Sequence, residues 1–189
     1  VIKAIIFDCF GVLATEGWLP FKEQYFGDDP VRMQEATDLI QQASAGIISH
    51  EEFVKAVAEL AGIPPTKVTS MLRRNVPNEP LFAYIKELKA NYKIGFLSNS
   101  SSNWLHDIFT EEQIAQFDAI ILSYETGLAK PDPKIYELTA QKLGVEPEEC
   151  IFVDDQEWYS SAAEDIGMRG LCYKTFDQIR ADLEEILAK

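Results

Sequence analysis

Histidine and cysteine are both scarce. Two histidines, His50 and His106, and three cysteines, Cys9, Cys150 and Cys172, serve the whole 189-residue chain. Three is an odd number, and no C-x-x-C spacing occurs, so neither a disulfide framework nor a thiolate metal knot is indicated. The cysteines lie in or beside apolar runs and are expected to be buried free thiols, which suits a reducing, cytoplasmic setting. His50 at a helix start and His106 on an amphipathic stretch are expected at the surface. Basic residues are also few, 17 against 31 acidic, for a net charge of −14. Nucleic acid and anionic membranes are bound largely through clustered cations, so neither is an expected partner. No apolar run reaches the ~18 residues of a membrane span.

What is present is enough apolar material, 47%, for a substantial core. Five short β-branched or aromatic runs read as buried parallel strands: Ile2–Phe7, Lys93–Leu97, Ala119–Leu122, Cys150–Val153 and Arg169–Tyr173. Helical patterns separate them, among them Trp104–Phe109, Ile135–Leu143 and Phe176–Leu187. Alternating strands and helices predict an α/β fold with a parallel sheet covered on both faces. The interval from about Thr15 to Asn91 breaks the alternation, with helical patterns and no convincing strand. Asp29-Pro30 and the "SHEE" box at Ser49–Glu52 are helix starts. "TEGWLPFKEQYF" reads as a loop, "IPPTKV" opens a later helix that carries Arg73 and Arg74, and Pro80 starts a helix returning to the sheet.

Four polar sites fall at downstream strand ends: Asp8 in "AIIFDCFGVL", Ser98 and Asn99 in "FLSNSS", Lys130 in "SYETGLAKPDPKIY", and Asp154 with Asp155 in "IFVDDQEW". In open parallel sheets, ligands bind beyond the carboxyl ends of the strands. Taken singly, each residue has an ordinary explanation as a cap, a turn or a surface charge. Together they form a coherent chemistry. Asp8 and Asp155 are hard oxygen ligands suited to Mg²⁺, and Lys130 offsets the repulsion between an anionic nucleophile and a phosphate. Ser98 and Asn99 offer hydrogen-bond donors to a phosphoryl group. An Asp can also attack phosphorus and form an aspartyl-phosphate that water then hydrolyses.

On these motifs the chain resembles the haloacid dehalogenase-like (HAD) superfamily. The most specific stretch is Ser123-x-Glu125-x-Gly127-x-x-Lys130-Pro131-Asp132-Pro133-x-x-Tyr136. "FVDD" followed by "AAEDIGM" comes next. The resemblance implies a Rossmann-like sheet of order 5-4-1-2-3, a core of residues 1–14 and 78–189, and a small helical C1 cap over 15–77. The paired acids look like the phosphatase branch that includes glucose-1-phosphate phosphatases and the phosphatase domain of soluble epoxide hydrolase. By position, Asp8 is implied to be nucleophile and metal ligand. Asp155 is implied as the second carboxylate ligand, Asp154 as an orienter of metal waters or a weak ligand, and the backbone carbonyl of Phe10 as a further ligand. Ser98 and Lys130 are implied to be catalytic, binding the phosphate and stabilising the nucleophile. Trp18 and Lys22 are expected to touch the substrate, and Mg²⁺ is the expected cofactor. The implied partner is a small phosphorylated metabolite, a sugar phosphate being one option, and the protein is expected as a monomer or homodimer.

Two positions depart from the family. Phe10 stands where a second Asp usually protonates the leaving oxygen, assistance typically worth ~10²–10⁴-fold. Tyr159 stands where Asn or Asp is frequent, altering what surrounds the metal. Three readings stay open: a phosphatase with reduced or rerouted acid help, a metal-independent 2-haloacid dehalogenase, or a non-catalytic protein on the same fold. Cys9 as nucleophile is disfavoured, because "CFGVLAT" has no phosphate-binding Arg, and its side chain is expected to pack inward.

Overall fold

The protein is described by a computed structural model covering residues 1–188. The first strand, β1, is Ala4–Phe7, and four helices follow: α1 (Trp18–Phe26), α2 (Pro30–Ser44), α3 (His50–Ala61) and α4 (Pro65–Leu72). Helix α5 (Glu79–Leu88) brings the chain back to β2 (Lys93–Ser98). The single-turn helices α6 (Leu105–Ile108) and α7 (Glu111–Ile114) precede β3 (Ala119–Leu122). A third short turn, α8 (Ser123–Thr126), leads to α9 (Pro133–Leu143), β4 (Cys150–Asp154), α10 (Glu157–Glu164), β5 (Arg169–Cys172) and α11 (Phe176–Leu187). The sheet is parallel throughout and ordered β3-β2-β1-β4-β5, as the resemblance implies.

Successive side chains on a strand face opposite sides, and β1 is buried on both. Ile5 and Phe7 join the cluster that includes Leu81, Ile85, Ile179 and Leu183 of α5 and α11. Ala4 and Ile6 join Ile135, Tyr136, Leu143 and Ala163 of α9 and α10. Gly95 in β2 lets α9 come close, since a Cβ there would stand 3.0 Å from Leu143 Cδ1 and from Ile6 Cγ1. Helices α1–α4 have a separate core built on Phe21, Phe26, Phe53, Val57 and Val68. This is the inserted helical cap.

Local chemistry sets most boundaries. Asp29 caps α2 by accepting from the N–H groups of Val31 and Arg32. Ser49 and Glu52 form the reciprocal box that opens α3, and Gly62 ends it at φ 67°. Several expectations shift. "TEGWLPFKEQYF" is helical from Trp18, not a loop: Glu16 accepts from the N–H groups of Trp18 and Leu19, and Pro20 sits in the first turn, where no intrahelical donor is lost. The Trp104–Phe109 pattern yields one helical turn, because Thr110 opens a new capping box with Gln113. Arg73 and Arg74 lie just past α4 rather than on it. Strand β1 starts at Ala4, β5 stops at Cys172, and β2 and β4 extend through Ser98 and Asp154.

The chain leaves for the cap and returns from it along one strap. Thr15 N–H donates to Val76 O (3.0 Å), Val76 N–H donates to Thr15 Oγ1 (2.9 Å), and Ala14 bridges Pro77. Asn78 locks the return. Its Nδ2 donates to Val12 O (2.9 Å) and to the Tyr173 hydroxyl (2.7 Å), while its Oδ1 caps α5 at Leu81. Asn78→Ala removes all three bonds and leaves the carbonyl of buried Val12 without this donor. We expect a loss of about 2 kcal/mol, or about 4–8 °C in Tm for a chain of this size, measured by thermal unfolding. Tyr173→Phe, which removes one bond, should cost less than half as much.

Candidate active site

Strands β1, β2 and β4 end side by side, and their loops converge. Lys130, carried in from the loop after α8, is 4% exposed, and its ammonium lies 2.8 Å from Asp8 Oδ1 and 2.5 Å from Asp154 Oδ2. The other oxygen of Asp154 accepts from Gln156 N–H (2.9 Å), so both are engaged by the protein. Asp8, Asp154 and Asp155 each bring a carboxylate oxygen within 4.8 Å of the others. Asp155 is drawn to the first loop by Gly11. At φ 85° that backbone is left-handed, and a Cβ at Gly11 would overlap the Asp155 carboxylate.

The electrostatics follow from this packing. With all three carboxylates ionised, one ammonium would leave two negative charges uncompensated, a state that burial opposes. Burial pushes the Asp8 carboxyl up to about 8 against the pull of Lys130, with Asp154 adding repulsion. Burial and Asp154 also raise Asp155. For Lys130, burial opposes the charge, but the two carboxylates overcome it, and its ammonium holds its proton more tightly than usual. A group of hard oxygen donors with this charge deficit fits a small divalent cation.

The other expected residues surround this centre. Ser98 ends β2, is 1% exposed and makes only a long 3.4 Å contact from its Oγ to Asn99 O. Asn99 has a part the sequence did not suggest. Its Oδ1 accepts from Lys130 N–H (2.8 Å), and its Nδ2 donates to Lys130 O (2.9 Å) and to the Tyr159 hydroxyl (3.2 Å). The amide thus clamps the lysine loop and has little left for a phosphate. The Tyr159 ring stands 4.6 Å from the Lys130 ammonium and walls it from solvent. Cys9, fully buried, packs on the α5 side of the sheet, as expected, and burial pushes its thiol up.

A cavity of about 650 Å³ opens over the strand ends, and Asp8, Phe10, Ser98, Lys130 and Asp155 line it together with cap residues. Trp18 and Lys22 both line it, with the Lys22 ammonium 5.8 Å from the Trp18 ring and bonded to Thr37 Oγ1 (3.2 Å). His106 is at the surface, paired with Glu111 at 3.0 Å. His50 is not simply a surface residue. Half-buried at the cavity wall, its Nδ1 lies 2.9 Å from Ser101 Oγ on the sheet side. Ser123, buried at the end of β3, donates to Ser44 O (2.6 Å) at the close of α2 and accepts from Ser100 N–H. These cap contacts escaped sequence reading because each joins residues far apart in the chain, His50 with Ser101 and Ser123 with Ser44. Glu16 escaped it too. It lines the cavity, and burial first, then the field of Asp155, raises its carboxyl. An acid two residues before a helix start was the available signal.

The chain is similar to several known proteins. The chain is 27% identical to bifunctional epoxide hydrolase 2 of Sus scrofa, over 98% of its own length but only 39% of that protein. It is 27% identical to the D-ribitol-5-phosphate phosphatase of Bacteroides thetaiotaomicron, covering 82% of this chain and 84% of that one. A HAD family enzyme of B. thetaiotaomicron, crystallised with magnesium and inorganic phosphate, superposes with a TM-score of 0.76 at 23% identity, covering 95% of this chain and 99% of the other. Residues 2–167 match the family model described as haloacid dehalogenase-like hydrolase, and the chain belongs to that family.

Proposed function

We propose that this protein is a Mg²⁺-dependent phosphatase of small phosphate monoesters, in the branch with paired acids at Asp154 and Asp155, working through an aspartyl-phosphate on Asp8. The observation that carries the reading is the meeting of the Asp8, Asp154 and Asp155 carboxylates around buried Lys130 at the floor of one cavity. The phosphatase relatives and the fold relative with bound magnesium and phosphate support it. The division into a core of 1–14 and 78–189 and a cap of 15–77 belongs to the same proposal, supported by the strap at Thr15 and Val76.

In this reading Asp8, Asp155 and the Phe10 carbonyl would hold Mg²⁺, which would supply charge neutralisation for the phosphoryl group. Asp154, with both oxygens committed, positions Lys130 more than it ligates. Lys130 holds the Asp8 carboxylate in place and meets the transferring phosphoryl group. Ser98 Oγ and the backbone N–H groups of the following turn donate to phosphoryl oxygens. Asn99 fixes Lys130 through its backbone, and Trp18 and Lys22 meet the alcohol portion. Water then hydrolyses the aspartyl-phosphate and restores Asp8.

Turnover of p-nitrophenyl phosphate should require Mg²⁺ and fall at least about 1,000-fold in Asp8→Asn. Chloride release from 2-chloropropionate without metal would replace this reading with dehalogenation. Lys130→Met leaves buried carboxylates facing each other without a counter-ion. It should cost about 3–5 kcal/mol of stability in chelator, measured by denaturant unfolding. Metal binding must displace the proton that burial favours on Asp8. Mg²⁺ affinity should therefore rise with pH, by up to about tenfold per unit, and level off above about 8. Calorimetric titration with Mg²⁺ at several pH values checks this.

A further inference from the structure

The cavity says more about the alcohol than about the phosphate. Beside Asp8, where a proton donor would face the departing oxygen, stands Phe10, packed against Trp104 with ring centroids 4.6 Å apart and the rings tilted by 52°. Cap and sheet continue this wall with Trp18, Leu19, Ile40, Phe53 and Ile108. The cations that could hold a second anionic group are engaged. Arg73 reaches Asp107 at 3.5 Å across the rim, Lys22 bonds Thr37 and lies over Trp18, and Lys130 serves the two aspartates. Glu16, Asp107 and Asp132 also line the cavity and repel an anionic body.

Resting on the phosphatase reading, we propose that the ester cleaved here has a neutral aromatic leaving group of low basicity: an aryl phosphate rather than a polyol, nucleotide or bisphosphate. Two requirements converge on that class. The wall formed by Phe10, Trp104, Trp18 and Phe53 offers flat apolar surface that stacks an aromatic ring. The chemistry points the same way. Asp8 forms the new O–P bond as the ester P–O bond breaks, and the bonding pair goes to the departing oxygen. An aryloxide carries that pair by delocalisation and takes its proton later from solvent. An alkoxide needs the proton in the transition state, and Phe10 has none to give. An extended alkyl phosphate would suit the wall but not the missing acid.

The experiment uses the full chain with Mg²⁺. Steady-state kcat/KM is measured for ring-substituted phenyl phosphates, 2-naphthyl phosphate, ribitol 5-phosphate and glucose 1-phosphate, in wild type and Phe10→Asp. Inhibition of wild type by naphthylmethylphosphonate and by methylphosphonate separates binding of the ring from leaving-group reactivity. We expect kcat/KM to fall steeply as the leaving phenol becomes more basic, and ribitol 5-phosphate to be at least about 100-fold poorer than 2-naphthyl phosphate. Phe10→Asp should narrow that gap, and naphthylmethylphosphonate should bind at least about 10-fold tighter than methylphosphonate. Ribitol or glucose phosphate matching the aryl esters, a flat phenol series, or equal inhibition by the two phosphonates would overturn the aryl assignment while leaving the phosphatase reading intact. Hydrolysis of none of these esters would overturn both.

Discussion

One buried ammonium organises this molecule. Lys130 arrives from the loop after the third strand and is fixed between an aspartate from the first and an aspartate from the fourth. A lysine this buried is tolerated only with full compensation, and compensation here requires three loops to meet. Asn99 pins the lysine backbone from the second strand, and Tyr159 covers its outer side. The strand order places these ends together, so the topology of the sheet and the charge balance of the site are aspects of one arrangement. A surplus of negative charge remains at the tips of β1 and β4, facing the cavity.

The sheet was legible because its strands are continuous apolar runs flanked by helical patterns, a signal that survives without any tertiary knowledge. Asp8, Lys130 and the Asp154–Asp155 pair were legible because each stands at a strand end within a recognisable motif. Asn99 was legible as a site residue but not in its role, since an amide after a strand can serve a ligand or a backbone equally well. The α1 helix was misread as loop because its cap is unusual. Glu16 bonds the first N–H groups from one position before Gly17, which itself gives no side-chain cap. The helical pattern over Trp104–Phe109 forms only the single turn Leu105–Ile108, because a new start signal stands at Thr110. His50 and Ser123 were opaque for a different reason: their partners, Ser101 and Ser44, are distant in sequence.

Phe10 joins a tight backbone turn to an aromatic side-chain cluster. Its backbone still turns at the end of β1, and the neighbouring Gly11 still admits the Asp155 carboxylate. Its ring has joined an aromatic cluster with Trp104 and Phe96. The turn admits the Asp155 carboxylate beside Gly11, and the Phe10 ring presents an apolar surface next to it.

The strap that joins Thr15 to Val76 has a separate consequence. Because the outgoing and returning segments bond directly to each other, the sixty residues between them form a closed excursion whose internal length hardly affects the sheet. Evolution can therefore rebuild the roof of such a molecule, or swap it for another, while the floor keeps its chemistry.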